Sequence, residues 1–462
     1  MHGSKSPLSQ DIINATKVNY PQGLGQLTPM GMRQMYLRGR EIRRRYVENQ
    51  NFLTKYMVPT EIYAYASPSD RTYMSAMAHM MGLYPPGGPQ PLSPNQTQNA
   101  VPPMPIENLE QIQEKLGEYA LENNFQTIPI HSDAGDLESM LTKGYDPAVC
   151  PIIGEIQMFE AINNTQVNHT FQNYTNILYP LLQNKFKLNK SEPFDMETAR
   201  YIIDEINSNK NEKRYVNYEF TQDEWKLIDQ FEHDYMYSYS FLNDTVVQLA
   251  TTEQFKFILK LFDRKANASL GHINNTNAYT QNLKYYYSSI KSQHLTAIIK
   301  GLQLPEQFRY LPKYSSSLLI EFWQKDYPMS QEEDTHYERY NYYVKFFYDD
   351  VPFKLSGAEC DNDYKCQWDK VANVLQGRLF RDVVNNGTYN NNMRQFCFSH
   401  LNYEVTASTY EENLPWWLAF IIALPLVGIT VAIIKIFLII RDKKLRAQAQ
   451  QSRGNYGVLN AS

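Results

Sequence analysis

Apolar and polar positions change their spacing several times along the chain, and each change marks an element. Across residues 28–46, Met32, Met35, Ile42 and Tyr46 recur on one side of a helix, with Thr28 placed to cap it and Pro29 suited to its first turn. Residues 61–66 alternate as a short strand, Ser67-Pro68-Ser69 turns, and residues 72–83 return to helical spacing. A Pro-, Gly- and Asn-rich stretch, residues 85–105, reads as a loop. From about 106 to 280 the spacing is three and four, clearest in 179–186 and 225–262, which predicts a mostly helical region. Strand-like runs come back at 283–289, 316–323 and 342–348. Strands and helices on both sides of a helical block predict an α/β fold, and no internal repeat is present.

One segment has the pattern of a bilayer span. Residues 416–434 carry no charge, and the apolar run reaches Ile440 with only Lys435 interrupting it. That is long enough to cross a membrane as a helix. Trp416 and Trp417 suit an interfacial belt, Lys435 can snorkel, and Pro425 and Gly428 are tolerable inside such a helix. Arg441, Lys443, Lys444 and Arg446 put positive charge on the C-terminal side, which is expected to be cytosolic. The expected order is a stalk at 401–413, a transmembrane helix at 414–440 and a cytosolic tail at 441–462.

Residues 1–30 hold no apolar run that would serve as a signal peptide. Two readings stay open. The sequence given begins downstream of the true start of an exported protein, or the protein is tail-anchored with its body in the cytosol.

A net charge of −5 without a long basic tract argues against nucleic acid as a partner. The densest basic run, Arg43-Arg44-Arg45, is expected on the solvated face of the first helix. The four cysteines are Cys150, Cys360, Cys366 and Cys397. Cys360 and Cys366 have no second close pair to complete a zinc ribbon, so no metal site is expected, nor any cofactor. An even cysteine count reads as disulfides in an oxidising compartment. Glycosylation sequons clustered at Asn163, Asn168 and Asn173 suit a surface facing the secretory lumen.

Met1-His2-Gly3-Ser4-Lys5-Ser6-Pro7 resembles the Arg-His-Gly-x-Arg-x-Pro signature of the histidine acid phosphatases, the prostatic and lysosomal type. Further runs are similar in the same order: Tyr20-Pro-Gln-Gly-Leu-Gly-Gln-Leu-Thr28, Ser69-Asp-Arg-Thr-Tyr-Met-Ser-Ala76, Gly82-Leu-Tyr-Pro-Pro86, Ile128-Pro-Ile-His131 and Pro312-Lys-Tyr-Ser-Ser-Ser-Leu-Leu-Ile-Glu321. The resemblance implies a phosphoglycerate-mutase-like sheet flanked by helices. Residues 1–105 and 281–400 would form this discontinuous domain, with its first strand missing, and 106–280 an α-helical cap. It also implies disulfides Cys150–Cys397 and Cys360–Cys366, and a homodimer. Tyr456-Gly457-Val458-Leu459 resembles the endocytic sorting signal of lysosomal acid phosphatase tails, implying an endolysosomal address.

Hydrolysis of a phosphomonoester through histidine needs a neutral imidazole in line with the leaving oxygen, fixed cations on the phosphoryl oxygens, and a proton donor for the alkoxide. By resemblance His2 stands in the nucleophile's place, and Lys5 and Arg71 in those of phosphate ligands. Met1 occupies the position of the first Arg. The family's His-Asp proton-donor pair aligns with Ile290-Lys291, or one residue later with Lys291-Ser292, and neither register supplies a carboxylate. Losing a general acid costs about 10² to 10⁴ in rate. The expected protein is a membrane-anchored lumenal phosphatase relative, catalytically weak or inactive, with a residual pocket for a phosphomonoester or phosphate ion. The alternatives are an active acid phosphatase whose first Arg and strand lie upstream of Met1, and a non-catalytic receptor or adhesion ectodomain.

Overall fold

Thr28 begins the first helix, α1 (Pro29–Arg43), as its spacing predicts. The Thr28 backbone is extended and its hydroxyl accepts from Gly31 N at 3.0 Å, satisfying a donor that the first turn leaves open. Strand β1 (Ile62–Ala66) and helix α2 (Asp70–Leu83) follow. Helices α1 and α2 touch backbone to backbone at Gly39 and Gly82. A Cβ on Gly82 would lie 2.1 Å from Tyr36 O, so neither helix tolerates a side chain at this crossing.

The computed structural model describes residues 1–399 apart from 11–18, 89–90, 133–139, 190–193, 215–217, 270–281, 326–338 and 382–392. The chain divides into two units, Met1–Leu401 and Asn402–Ser462. The predicted stalk, membrane helix and tail lie outside the described residues. Among the described residues no helix is long and apolar enough to cross a membrane.

In one sheet β1 is central, with β2 (Ile130–His131) and β3 (Tyr285–Ser289) parallel on either side. The other is antiparallel: β4 (Leu318–Gln324), β5 (Tyr342–Tyr348) and β6 (Val351–Phe353), with β7 (Cys366–Gln367) also on β5. Alternate residues of β5 are buried, so one face packs on the core and the other does not. The main chain of residues 1–3 runs between the two sheets. His2 N donates to Ile290 O at 3.2 Å, just beyond β3, and Ser315 N and Met1 N complete bonds toward β4 with His2 O (3.0 Å) and Ser316 O (2.8 Å).

Among the described residues the predicted helical region is mostly helical. Strand β2 falls inside it and returns the chain to the parallel sheet. Helices α3 (Pro151–Asn163), α4 (Thr165–Phe186), α5 (Met196–Asn211), α6 (Gln222–Asp234) and α7 (Asp244–Ser269) follow. A separate apolar cluster is built from α4, α5 and α6, with Tyr174, Leu182, Ile202, Ile206 and Phe231 at its centre. Phe255, Ile258 and Leu259 of α7 instead join the core of β5, α8 (Ser292–Gly301) and α9 (Trp368–Gly377). The loop predicted at 85–105 contains a short helix, Pro94–Asn99, because Ser93 and Gln96 close a capping box around its first turn.

The basic run is only partly solvated. Arg44 pairs with Glu41 at the surface, but Arg43 donates to Leu83 O at 2.9 Å and Arg45 reaches Asp350 at 3.0 Å. Asn163, Asn168 and Asn173 are exposed. Cys150 is bonded to Cys397 and Cys360 to Cys366, with all four sulfurs accounted for.

Closing a loop of 247 residues restricts the unfolded chain far more than closing one of 6. Cys150→Ser with Cys397→Ser should therefore lower unfolding free energy by about 2 to 5 kcal/mol. The Cys360/Cys366 pair of serines should cost less. Urea titrations of the two variants check the order, and a larger loss from the short loop would contradict it.

Two fully buried histidines make folding acid-sensitive. Burial lowers His79 to about 3 and His294 to about 4 from the ordinary 6.5. Between pH 6.5 and 4 the unfolded chain binds protons that the folded chain refuses, so stability falls as pH falls through that window. His294→Leu should reduce the loss between pH 7 and pH 4.5 by about 2 kcal/mol, read from urea midpoints.

Candidate active site

The segment bearing His2 is buried and fixed on all sides. Gly3 lies against the start of α1 so closely that a Cβ would sit 2.3 Å from Gly31 O, and Gly3 N donates to Ser75 Oγ at 3.1 Å. His2 Nδ1 is 2.8 Å from Gly3 O. A carbonyl can only accept, so Nδ1 carries the proton and Nε2 keeps its lone pair. Burial first, then the positive charge of Arg71, holds His2 well below the ordinary imidazole range. The ring is therefore neutral, the state a nucleophile requires. Tyr314 lies beside it, with ring centroids 5.9 Å apart.

Helix α5 grips the rest of the signature. Ser4 Oγ bonds to Glu212 and accepts from Asn211 Nδ2 at 2.6 Å, while Thr28 Oγ1 donates to Glu212 at 2.7 Å. Lys5 Nζ is 2.6 Å from Asp204 Oδ1 and 3.4 Å from Ser6 O. The other Asp204 oxygen accepts from Leu8 N at 2.8 Å. Burial pulls the Lys5 amine below its usual value, and Asp204 acts against that shift. Further along, Tyr20 OH donates to Asn209 Oδ1 at 2.8 Å.

Arg71, in the first turn of α2, donates through Nη1 to Gly25 O at 3.2 Å, and its buried Nε has no protein partner. Burial lowers it too, against the nearby Tyr145 and Asp204. A guanidinium N–H left unpaired in a buried place is a donor waiting for an acceptor.

The proton-donor region is organised differently. Ile290 is taken into the apolar core with Leu295 and Ile298, and only its carbonyl faces the signature, accepting from His2 N. Lys291 is the residue before α8, and Ser292 opens that helix with its hydroxyl 3.3 Å from Gln293 Oε1. Burial first, then Arg71 and Lys143, lowers the Lys291 amine to about 8. Position 291 thus shares its surroundings with Arg71 whichever register is taken. His294 is fully buried beside Tyr145.

Four further residues gather at this site, and three of them carry no signal in the local sequence pattern. Asp204 and Glu232 come from α5 and α6, Tyr145 from the approach to α3, and Tyr314 from the approach to β4. Only Tyr314 lies in one of the family-like runs. The Glu232 carboxyl is pushed up to about 7, by burial first and by the neighbouring Asp204 and Asp229, with Lys5 opposing. Among the described residues no group of three or more His, Cys, Asp or Glu could hold a metal ion.

The buried, neutral His2 imidazole thus lies within reach of the charges of both Arg71 and Lys5. The family model of the histidine phosphatase superfamily, branch 2, matches residues 3–349, and the chain belongs to that family. It is 40% identical to the lysosomal acid phosphatase of Xenopus laevis over 116 residues, 25% of this chain and 26% of that protein. Against the prostatic acid phosphatase of Bos taurus it is 30% identical over 177 residues, 32% of this chain and 44% of the relative. The chain thus spans less than half the length of these relatives. Among solved structures the phytase of Citrobacter braakii superposes with a TM-score of 0.53 at 13% identity, covering 82% of this chain and 96% of the phytase. At that identity the likeness speaks for the fold.

A lowered amine is neutral more often than other lysines near pH 8. Brief treatment with an amine-acylating reagent at pH 8 should therefore label Lys291 ahead of exposed lysines such as Lys226, as read by peptide mapping. The advantage should vanish at pH 10.5, where ordinary lysines also lose their proton.

Proposed function

We propose that this protein is a membrane-anchored, lumenal member of its family that binds phosphate or phosphomonoesters and turns them over slowly or not at all. The observation that carries the reading is Lys291 beside Arg71, at the place where the family's sequence pattern has its proton donor. An ammonium that remains charged below about pH 8 offers a leaving alkoxide far less than a carboxylic acid does, because the donor's acidity should match the working pH. His2, Lys5 and Arg71 retain the other half of the chemistry. His2 would direct Nε2 at phosphorus, Arg71 would take the phosphoryl oxygens through its unpaired Nε, and Lys5 would supply a second cation.

The lumenal, endolysosomal placement rests on the two disulfides, the exposed sequons, the basic flank after Ile440 and the lysosomal enzymes among the relatives. The same reading includes a homodimer, which the family likeness implies. Endoglycosidase treatment of the protein expressed in a secretory cell should lower its apparent mass, and an unchanged mass would count against this topology.

A second reading, an active acid phosphatase, is favoured by one observation. Glu232 at about 7 is protonated in acid and lies close enough to Lys5 for the two charges to interact. It would have to replace the missing donor. The two readings part on leaving-group dependence, since a phenolate departs without a proton and an alkoxide does not.

We expect the detergent-solubilised protein to hydrolyse an alkyl phosphate at background and an aryl phosphate slowly. Installing Ile290→His with Lys291→Asp, or Lys291→His with Ser292→Asp in the other register, should raise alkyl-ester turnover more than aryl-ester turnover. Turnover of an alkyl ester by the unaltered protein at 1 per second or faster, a rate on the order of ordinary enzymes, would defeat the first reading. Its loss in Glu232→Gln would establish the second. Absence of phosphate binding altogether, by calorimetry, would leave the receptor or adhesion role.

A further inference from the structure

We infer that Asp204 sets the anion affinity of this pocket by acting as a built-in competitor for Lys5. The inference rests on the proposed phosphate pocket. Its basis is geometric. Asp204 projects from α5 onto the signature segment and places one oxygen 2.6 Å from Lys5 Nζ and the other 2.8 Å from Leu8 N. A carboxylate holding one ammonium and one main-chain N–H has the partners that two oxygens of a phosphate would use. Both side chains of the pair are shielded, Lys5 at 8% exposure and Asp204 at 19%. The attraction is therefore little weakened by solvent, and an incoming anion must displace it rather than share it.

The surrounding charges leave Lys5 no spare capacity. Arg71 repels it, Glu232 attracts it, and its remaining polar contacts are Ser6 O and Ser208 Oγ. Asp204 is also near enough to raise Arg71 and Tyr314. A phosphate dianion entering beside His2 would then meet a carboxylate already bound to one of its two cations. Like charges at that range exclude each other unless a proton or a counter-ion intervenes. The net effect is a site that binds phosphate weakly while remaining assembled.

A purely structural role for Asp204, clamping the 5–8 loop to α5, makes a different forecast. Asp204→Asn keeps an acceptor for Leu8 N and removes the charge. If Asp204 is the competitor, Asp204→Asn binds orthophosphate tighter than the unaltered protein by at least about tenfold in calorimetry at fixed pH and salt. Asp204→Glu stays weak, and adding Lys5→Met to Asp204→Asn removes the gain. Asp204→Ser is the parallel variant should the asparagine chain fail to fold, and thermal unfolding verifies that each variant is native. Unchanged or weaker phosphate affinity in Asp204→Asn, with measurable binding in the unaltered protein, overturns the competitor and leaves the phosphate pocket standing. No binding by either chain, or by Asp204→Ser, overturns both.

Discussion

The structure depends on burying a polar segment, His2 to Ser6, at the seam between two sheets. A buried main chain tolerates few unpaired groups, and a buried ammonium tolerates none without a partner. The solution is helix α5, which presents Asp204 to Lys5 and Leu8, Asn211 and Glu212 to Ser4, and Asn209 to Tyr20. Removing one partner of such a shielded pair typically costs about 3 to 5 kcal/mol, more than a surface ion pair contributes. The signature is thus held in shape by an element over 190 residues away in sequence, as the separation of 199 between Lys5 and Asp204 records. Helix α5 is therefore part of the site's foundation.

The far side of the site follows the opposite electrostatic logic. Burial first, and then the positive charges of Arg71 and Lys143, lower the basicity of the Lys291 amine. Helices α5 and α6 contribute Asp204, Asp229 and Glu232, and here burial first, then the neighbouring carboxylates, raise the Glu232 carboxyl to about 7. Among the described residues the one direct ion pair between these carboxylates and the cations of the site is Lys5 with Asp204.

What the sequence makes legible is local. The Thr28 cap, the alternation in residues 61–66, the helical spacing of 72–83 and the strand at 342–348 are each written within a few consecutive side chains. All appear with small shifts of boundary. The cysteine pairing followed from family likeness and is present. The short helix inside the loop at 85–105 was hidden by composition, since Pro and Asn dominate while the Ser93–Gln96 capping box occupies only four positions. Asp204 and Glu232 were invisible for another reason. Each is one acidic residue among many on an amphipathic helix, and only tertiary packing shows which of them meets Lys5. His2 has no anchor in its local sequence because its main chain is held by Ile290 and Ser315, and that of the adjoining Gly3 by Ser75.

An acidic compartment would set the remaining balance. Acid weakens this fold in several places at once, because His79 and His294 stay neutral when folded and Glu41 keeps its charge down to about 2 through Arg44 and Arg45. Each contributes stability that drains as pH falls, and the sign is the same for all three. The Cys150–Cys397 bond is indifferent to pH, and its span of 247 residues places it where a cross-link most restricts the unfolded chain. Its expected contribution, about 2 to 4 kcal/mol, is comparable to what one fully buried histidine forfeits over two pH units. One covalent link therefore offsets about one such group, and the remainder of the acid penalty must be met by the apolar cores, whose burial does not titrate.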